Sequence, residues 1–338
     1  MGKPALREAS LRRWNGLVAA ASTLALGVFV LLASSAAARA ESPRVQIRQS
    51  DDGRAYVFVE GNQPVLQYNY RTVPLPEGFL EKVRPNSRKY ARPRSDYIHP
   101  LYGPDGEVLT DDFCVDHPHH RGIYWAWPEV KFGDELGDLH ALQRVFARPT
   151  GQVKTHVEQN LAELTAESLW KWEDQKPIVR ELATIRVHAA GPHGRFVDLT
   201  FQFTGLVDGV SIARRHTNLY GGLNTRLARA KPLKFVHHAD PKDAQPQRAW
   251  SDAIGVFQGG KRSVGLAIFE KSTNPYYPGD WVVYEHLPWF QPTFPAAGVR
   301  YPLKPGQTLT LQYRLWIRPT EGTSDEEYRQ RWDEYNGQ

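Results

Sequence analysis

Residues 111–127 read Asp-Asp-Phe-Cys-Val-Asp-His-Pro-His-His-Arg-Gly-Ile-Tyr-Trp-Ala-Trp, the densest run of chemistry-bearing side chains in the chain. His117, His119 and His120 offer imidazoles, Asp116 a carboxylate and Arg121 a guanidinium. Two kinds of chemistry suit that set. An imidazole beside a carboxylate is a general acid or base near neutral pH. This makes His117, His119, Asp116 and Arg121 the candidate catalytic residues, with the arginine as a fork for a carboxylate or a sugar oxygen. Imidazole and carboxylate together also suit a divalent metal such as zinc, iron, copper or nickel. Here His117 and His119 are the candidate ligands, completed by His140, His216 or His286, with Glu285 and Asp138 close behind. A plainer reading makes Asp116 and Arg121 a buried pair that pins the loop, and His120 a packing residue. No His-Glu-x-x-His motif, Ser-His-Asp order, phosphate loop or dinucleotide fingerprint is present.

The local backbone must aim these groups. Pro118 fixes its own φ and pushes His117 towards an extended conformation. On a straight strand side chains alternate between faces. His117, His119, Arg121, Trp125 and Trp127 then share one face, and Asp116, His120 and Tyr124 the other. Gly122 permits a bulge that would break this register. The chain has 10 Trp and 15 Tyr, and aromatic faces beside polar groups suit pyranose rings. Trp125, Trp127, Tyr276, Tyr277 and Trp281 are therefore candidate substrate-binding residues, together with His216 and His286. The last three aromatics lie on a Pro-rich loop, Asn274-Pro-Tyr-Tyr-Pro-Gly-Asp-Trp281, where ligand contacts concentrate. Trp170 and Trp172 share a strand face and read as core. Arg214-Arg215-His216-Thr217-Asn218 either faces the same cleft or forms a solvated rim. Glu285 and His286 follow the strand-like Val282–Tyr284, and as neighbours they would point to opposite faces.

The Asp-His-Pro-His-His-Arg-Gly block resembles the signature of a bacterial family termed methane oxygenase PmoA-like. Gly265-Leu-Ala-Ile-Phe-Glu, then Asn274-Pro and Trp281, is similar to its second block. Leu303-Lys-Pro-Gly-Gln-Thr-Leu-Thr-Leu-Gln-Tyr-Arg is similar to its last strand. The resemblance covers roughly residues 45–320. Glu270-Lys271-Ser272 stands where the family pattern has Asp-His-Pro. The family label implies a metal-dependent oxygenase. Membrane methane monooxygenase subunits are polytopic, whereas this chain has a single long apolar segment.

The elements around these residues are strands. Val45–Gln49, a turn at Asp51-Asp-Gly53 and Ala55–Val59 read as a hairpin. Val65–Tyr70, Tyr97–Tyr102, Val153–Val157, Leu169–Trp172, Glu181–His188, Phe196–Phe203, Ile254–Phe257, Val264–Phe269 and Leu309–Ile317 follow, many with period-two alternation. Residues 71–95 read as a long loop lying over the sheet, and Glu129–His140 as a charged, Gly-punctuated loop. Ser324-Asp-Glu-Glu327 is a capping box that opens a helix to about Tyr335. The expectation is an all-β chain with one short C-terminal helix. By analogy, its strand number and long loops point to a large distorted antiparallel β-sandwich of the galactose-mutarotase or super-sandwich kind.

Lys3, Arg7, Arg12 and Arg13 precede an apolar run from Leu17 to Leu32, and Ala38-Arg39-Ala40 supplies a cleavage site. Residues 1–40 thus read as a signal peptide, or as an anchor if uncleaved, and residues 41–338 as one domain. The leader holds five basic residues and one acid, so its removal takes the formal charge from +5 to +1. That leaves no basic stripe for nucleic acid, and a membrane is a partner only for the uncleaved form. The single cysteine, Cys114, excludes an intrachain disulfide. The expectation is an exported periplasmic or extracellular protein acting on a small molecule or oligosaccharide by His/carboxylate chemistry. A metal-dependent enzyme and a non-catalytic sugar-binding module are the alternatives. Mass spectrometry of the native protein should give a chain beginning at Glu41; retention of residues 1–40 would make the segment an anchor.

Overall fold

Apolar and polar side chains that alternate along extended segments build two large antiparallel sheets, each with one buried face. Along Arg195–Gly205, the buried Val197, Leu199, Phe201 and Phe203 alternate with the part-exposed Asp198, Thr200 and Gln202. The computed structural model describes residues 44–237, 248–321 and 323–337. The leader expected over residues 1–40 lies outside them. One compact unit spans Glu41–Gln338.

The first sheet has eight strands, in the order Val45–Gln49, Tyr56–Glu60, Gln63–Asn69, Tyr97–Leu101, Ile123–Ala126, Gly222–Arg226, Trp289–Pro292 and Trp281–Tyr284. The second, also of eight, runs Ala230–His237, Trp250–Phe257, Val264–Glu270, Thr308–Pro319, Arg195–Gly205, Lys176–His188, Leu161–Trp172 and Val145–Glu158. Their inner faces share one hydrophobic core. Trp125 of the first sheet lies 4.1 Å from Phe201 of the second, and Trp127 lies 5.6 Å from Trp170, centroid to centroid. The protein is thus an all-β sandwich.

Residues 129–137 depart from the expected loop. Glu129–Phe132 and Glu135–Gly137 form a hairpin in a third, four-stranded sheet with Val210–Ala213 and Tyr301–Pro302. The charges of Glu129, Lys131 and Asp134 mask a short strand whose Val130 is fully buried opposite Ile212. Residues 71–95 do lie as a strap, with a short helix Phe79–Lys82 and a 3-10 turn Pro85–Tyr90. Phe79, Val83 and Ala91 form a small cluster against Phe113, which fastens the strap to the histidine segment.

Ser324 caps the helix Asp325–Asn336, its side chain accepting from the Glu327 amide at 3.2 Å. Tyr328 and Trp332 then cover Trp250, Phe269 and Trp316 on the outer face of the second sheet. Among the described residues no helix is long and apolar enough to cross a membrane.

Candidate metal centre

The histidine segment is a turn and not a strand. The His120 amide donates to the His117 carbonyl at 2.9 Å, so Pro118 and His119 occupy a tight reversal. Gly122 ends it at φ 53°, where a Cβ would collide with the Ile98 carbonyl oxygen and the His99 side chain. Only glycine combines that conformation with that approach. The Gly122 amide donates to the Asp111 backbone carbonyl at 2.7 Å, and its own carbonyl accepts from the Arg226 amide at 2.8 Å. The loop is thereby sewn to the strand Gly222–Arg226. Regular alternation begins only at Ile123, so the expected shared face of His117, His119, Trp125 and Trp127 does not form.

Three imidazoles converge instead: His119 and His120 from this turn, and His140 from the turn after the hairpin 129–137. One ring nitrogen from each lies within 4.8 Å of those of the other two. Ring centroids are 4.6 Å apart for His119 and His120, and 4.9 Å for His119 and His140. His120 and His140 are buried, while His119 is partly exposed at the cleft floor. Burial in this cluster pushes His119 down to about 3, the neighbouring His117 and arginines adding to the effect. It holds His120 and His140 well below the ordinary imidazole range. All three are neutral at pH 7, the form in which an imidazole ligates a metal.

Two of the three rings, His120 and His140, are held from behind. His120 stacks on Trp289, 5.1 Å between centroids, and Trp289 stacks in turn on Tyr284 at 5.2 Å. The backbone amides of Leu139 and His140 both donate to the Trp127 carbonyl, at 3.0 and 3.3 Å. Arg94, buried, donates through Nη2 to the carbonyls of Leu139 and His140 at 2.6 and 2.8 Å. Its guanidinium also lies 4.5 Å over the Tyr124 ring. Tyr124 Oη is 3.3 Å from both ring nitrogens of His140, a position in line with neither lone pair. His119 Nδ1 is buried without a partner. Arg226 Nη1 approaches His120 Nδ1 at 3.5 Å, the long limit of a hydrogen bond. A guanidinium only donates, so ligation through His120 Nε2 requires this weak contact to give way.

The cluster forms the floor of an open cleft of about 310 Å³, walled by Tyr90, Tyr220, Tyr284, Arg215, His117 and His286. His117 Nδ1 lies 3.2 Å from Asp116 Oδ2, an ion-pair distance without the alignment of a hydrogen bond. Asp116 also receives Arg226 Nη2 on both oxygens at 3.1 Å. Its carboxyl is held well below the usual carboxylate range, first by His117 and then by Arg226, against the opposing effect of burial. Asp138 accepts from Arg215 Nη2 at 2.6 Å and from the Ala141 amide at 2.7 Å, closing the turn that presents His140.

Several expected site residues lie elsewhere. Arg121 is buried, paired with Asp112 rather than Asp116, between the rings of Phe113 and Tyr97. It braces the loop and reaches no cleft. Trp125 and Trp127 point into the sandwich. Trp125 gives its indole N–H to the buried Glu181, and Trp127 donates to the Phe294 carbonyl at 2.7 Å. Trp281 is buried and donates to the Arg248 carbonyl at 2.8 Å. Tyr276 is exposed beside Phe294 and Tyr301, and Tyr277 stacks on Trp332, so the Pro-rich loop packs on the body away from the histidines. His216 is exposed, with its amide bound to Glu129 Oε1 at 2.8 Å; its neighbour Arg215 takes the place at the cleft. Of the pair His117 and His119, only His119 belongs to the metal-capable trio, joined by His120 and His140. His286 does line the cleft, from a turn after the strand Trp281–Tyr284. Arg94, Tyr220 and Tyr284 were not identified from the sequence, and Trp289 stood out only as one of the aromatics clustered near the motifs.

An all-β sandwich with a three-histidine cluster on the floor of an open cleft is the class that fold and site define. The chain belongs to a family of unknown function (DUF6807), whose model matches residues 55–333 and so includes every member of the cluster. No curated protein is detectably similar to it.

Arg94→Met leaves two backbone carbonyls without their donor. It is expected to lower the unfolding free energy by about 2–3 kcal/mol, measured by denaturant titration. A loss below roughly 0.5 kcal/mol, the usual effect of a surface change, would remove Arg94 as the anchor of the His140 turn.

Proposed function

We propose that this protein is a metal-dependent enzyme in which His119, His120 and His140 hold one divalent transition-metal ion above which a small polar substrate binds. The observation that carries this reading is the convergence of three imidazoles, within 4.8 Å, at the floor of an accessible cleft. Three nitrogens around one zinc-like ion sit ~3.4 Å apart for bonds of about 2.0–2.1 Å, so modest ring rotation closes the site. Three protein ligands leave a position for water or substrate, the pattern of catalytic rather than structural sites. Such an ion, when bound, polarises a substrate oxygen or lowers the pKa of a bound water.

The depressed proton affinity of His119 favours this reading over metal-free acid–base catalysis by that residue. A base with a pKa of about 3 accepts protons poorly at neutral pH. His117, beside Asp116 at the mouth of the cleft, remains the group placed to move a proton. The cleft is at the small end of ligand pockets and suits a monosaccharide-sized molecule. Trp289 stacks on both His120 and Tyr284. Tyr284, Tyr220 and Tyr90, which line the cleft, supply the aromatic surface for an apolar sugar face. The basic, apolar leader supports export to the periplasm or beyond.

Elemental analysis after equilibration with Zn²⁺, Co²⁺ or Ni²⁺ tests the proposal. The wild type should retain one ion per chain. His120→Ala and His140→Ala should bind it more weakly by over ~100-fold, beyond the range for loss of a supporting contact. Saturating metal at about 100 times its Kd should stabilise the wild type by about 2.7 kcal/mol and His140→Ala by less than about 0.4 kcal/mol. Equal, substoichiometric metal in all three proteins would overturn the metal reading.

A further inference from the structure

The geometry points to a substrate that carries a carboxylate, received by Arg215 at the wall of the cleft while the rest of the molecule lies over the imidazole floor. This rests on the metal reading for its charge argument and on Arg215 for its contact. The charges around the floor are nearly matched before any ion binds. Arg94, Arg215 and Arg226 all act on His119. Against them stand Asp138 on Arg215, Asp116 on Arg226, and Asp111 at 4.0 Å from Arg226 Nε. Ligands that are neutral imidazoles bring no charge to the ion. A divalent ion would therefore add its full positive charge to a partly desolvated cleft, where opposite charge is strongly favoured. An anionic ligand supplies it.

Arg215 is the guanidinium placed to orient that anion. Its side chain is 30% exposed and lines the cleft. Its Nη2 is committed to Asp138 at 2.6 Å, and its Nε reaches Tyr220 Oη only at 3.4 Å. Among the described residues no hydrogen-bond partner occupies Nη1, so that nitrogen is free to donate to an incoming anion. The Asp138 contact holds the guanidinium in place beforehand, which lowers the cost of ordering it on binding. Tyr220, 5.2 Å from His140 and 5.8 Å below the Arg215 guanidinium, bridges the anion position to the floor. An acidic sugar of the uronate type fits this combination: a carboxylate for Arg215, hydroxyls for the floor and an apolar ring face for Tyr284.

The test compares D-glucuronate with D-glucose as probes, on the full chain with and without Co²⁺. Binding is read by intrinsic fluorescence and, for the loaded protein, by the visible Co²⁺ spectrum. The wild type should bind glucuronate about tenfold or more tighter than glucose, the scale of one charge-assisted hydrogen bond. Arg215→Lys, which keeps the charge beside Asp138 but loses the fork, should lose most of that preference while still binding Co²⁺. Arg215→Met should lose all of it. Stoichiometric Co²⁺ binding with equal affinity for the two sugars, with no glucuronate binding, or with a preference unchanged in both variants overturns the carboxylate inference and leaves the metal centre standing. Failure of the wild type to bind Co²⁺ overturns the metal centre. The metal-free titrations then decide the carboxylate claim alone: a glucuronate preference that depends on Arg215 sustains it, and no preference ends it.

Discussion

The site depends on one buried cation. Arg94 sits in the strap between strands, its backbone bridged to Val73, and its guanidinium bonds the carbonyls of Leu139 and His140. A charge withdrawn from water is tolerated only where its donors are used. Here they close the turn that carries His140 and lie over Tyr124, whose hydroxyl touches that same imidazole. The strap, the strand Ile123–Ala126 and the turn 138–141 are thereby locked to one another. His119 and His120 arrive from the other side, on a reversal that Gly122 fits against the strand Tyr97–Leu101. Without both fixtures the two loops that carry the three rings would not be held together.

Desolvation does the chemical work of this arrangement. Isolated imidazoles on a surface would be partly protonated near pH 6.5. Packed against one another, against Trp289 and among arginines, these three are held neutral. Neutral rings whose lone pairs meet only long contacts are poor salt-bridge partners and good ligands. Asp116 and Asp138 keep the nearby Arg226 and Arg215 compensated without lying among the three rings.

How much of this was legible in the sequence follows from the range of each interaction. Period-two alternation marked strands such as Arg195–Gly205, and Ser324 with Glu327 marked the helix, because both signals are local. The histidine segment stood out by composition alone. Its geometry did not: whether Pro118 continues a strand or starts a reversal is decided by the fit of Gly122 against Ile98, a contact 24 residues away in sequence. Trp125 and Trp127 look like a binding wall on paper because nothing local tells a sheet's inner face from its cleft face. Glu181 and Phe294, which receive their N–H groups, come from distant strands and loops. His140 could be named as a candidate partner, but the hairpin that delivers it was hidden by the charges of Glu129, Lys131 and Asp134.

X-ray absorption at the metal edge of the loaded wild-type protein addresses the central claim most directly. The account predicts a first shell with about three nitrogen neighbours at ~2.0–2.1 Å, the outer-shell scattering of imidazole rings, and one or two oxygens from water. A first shell of oxygens without imidazole scattering would place the ion on surface carboxylates and contradict the account.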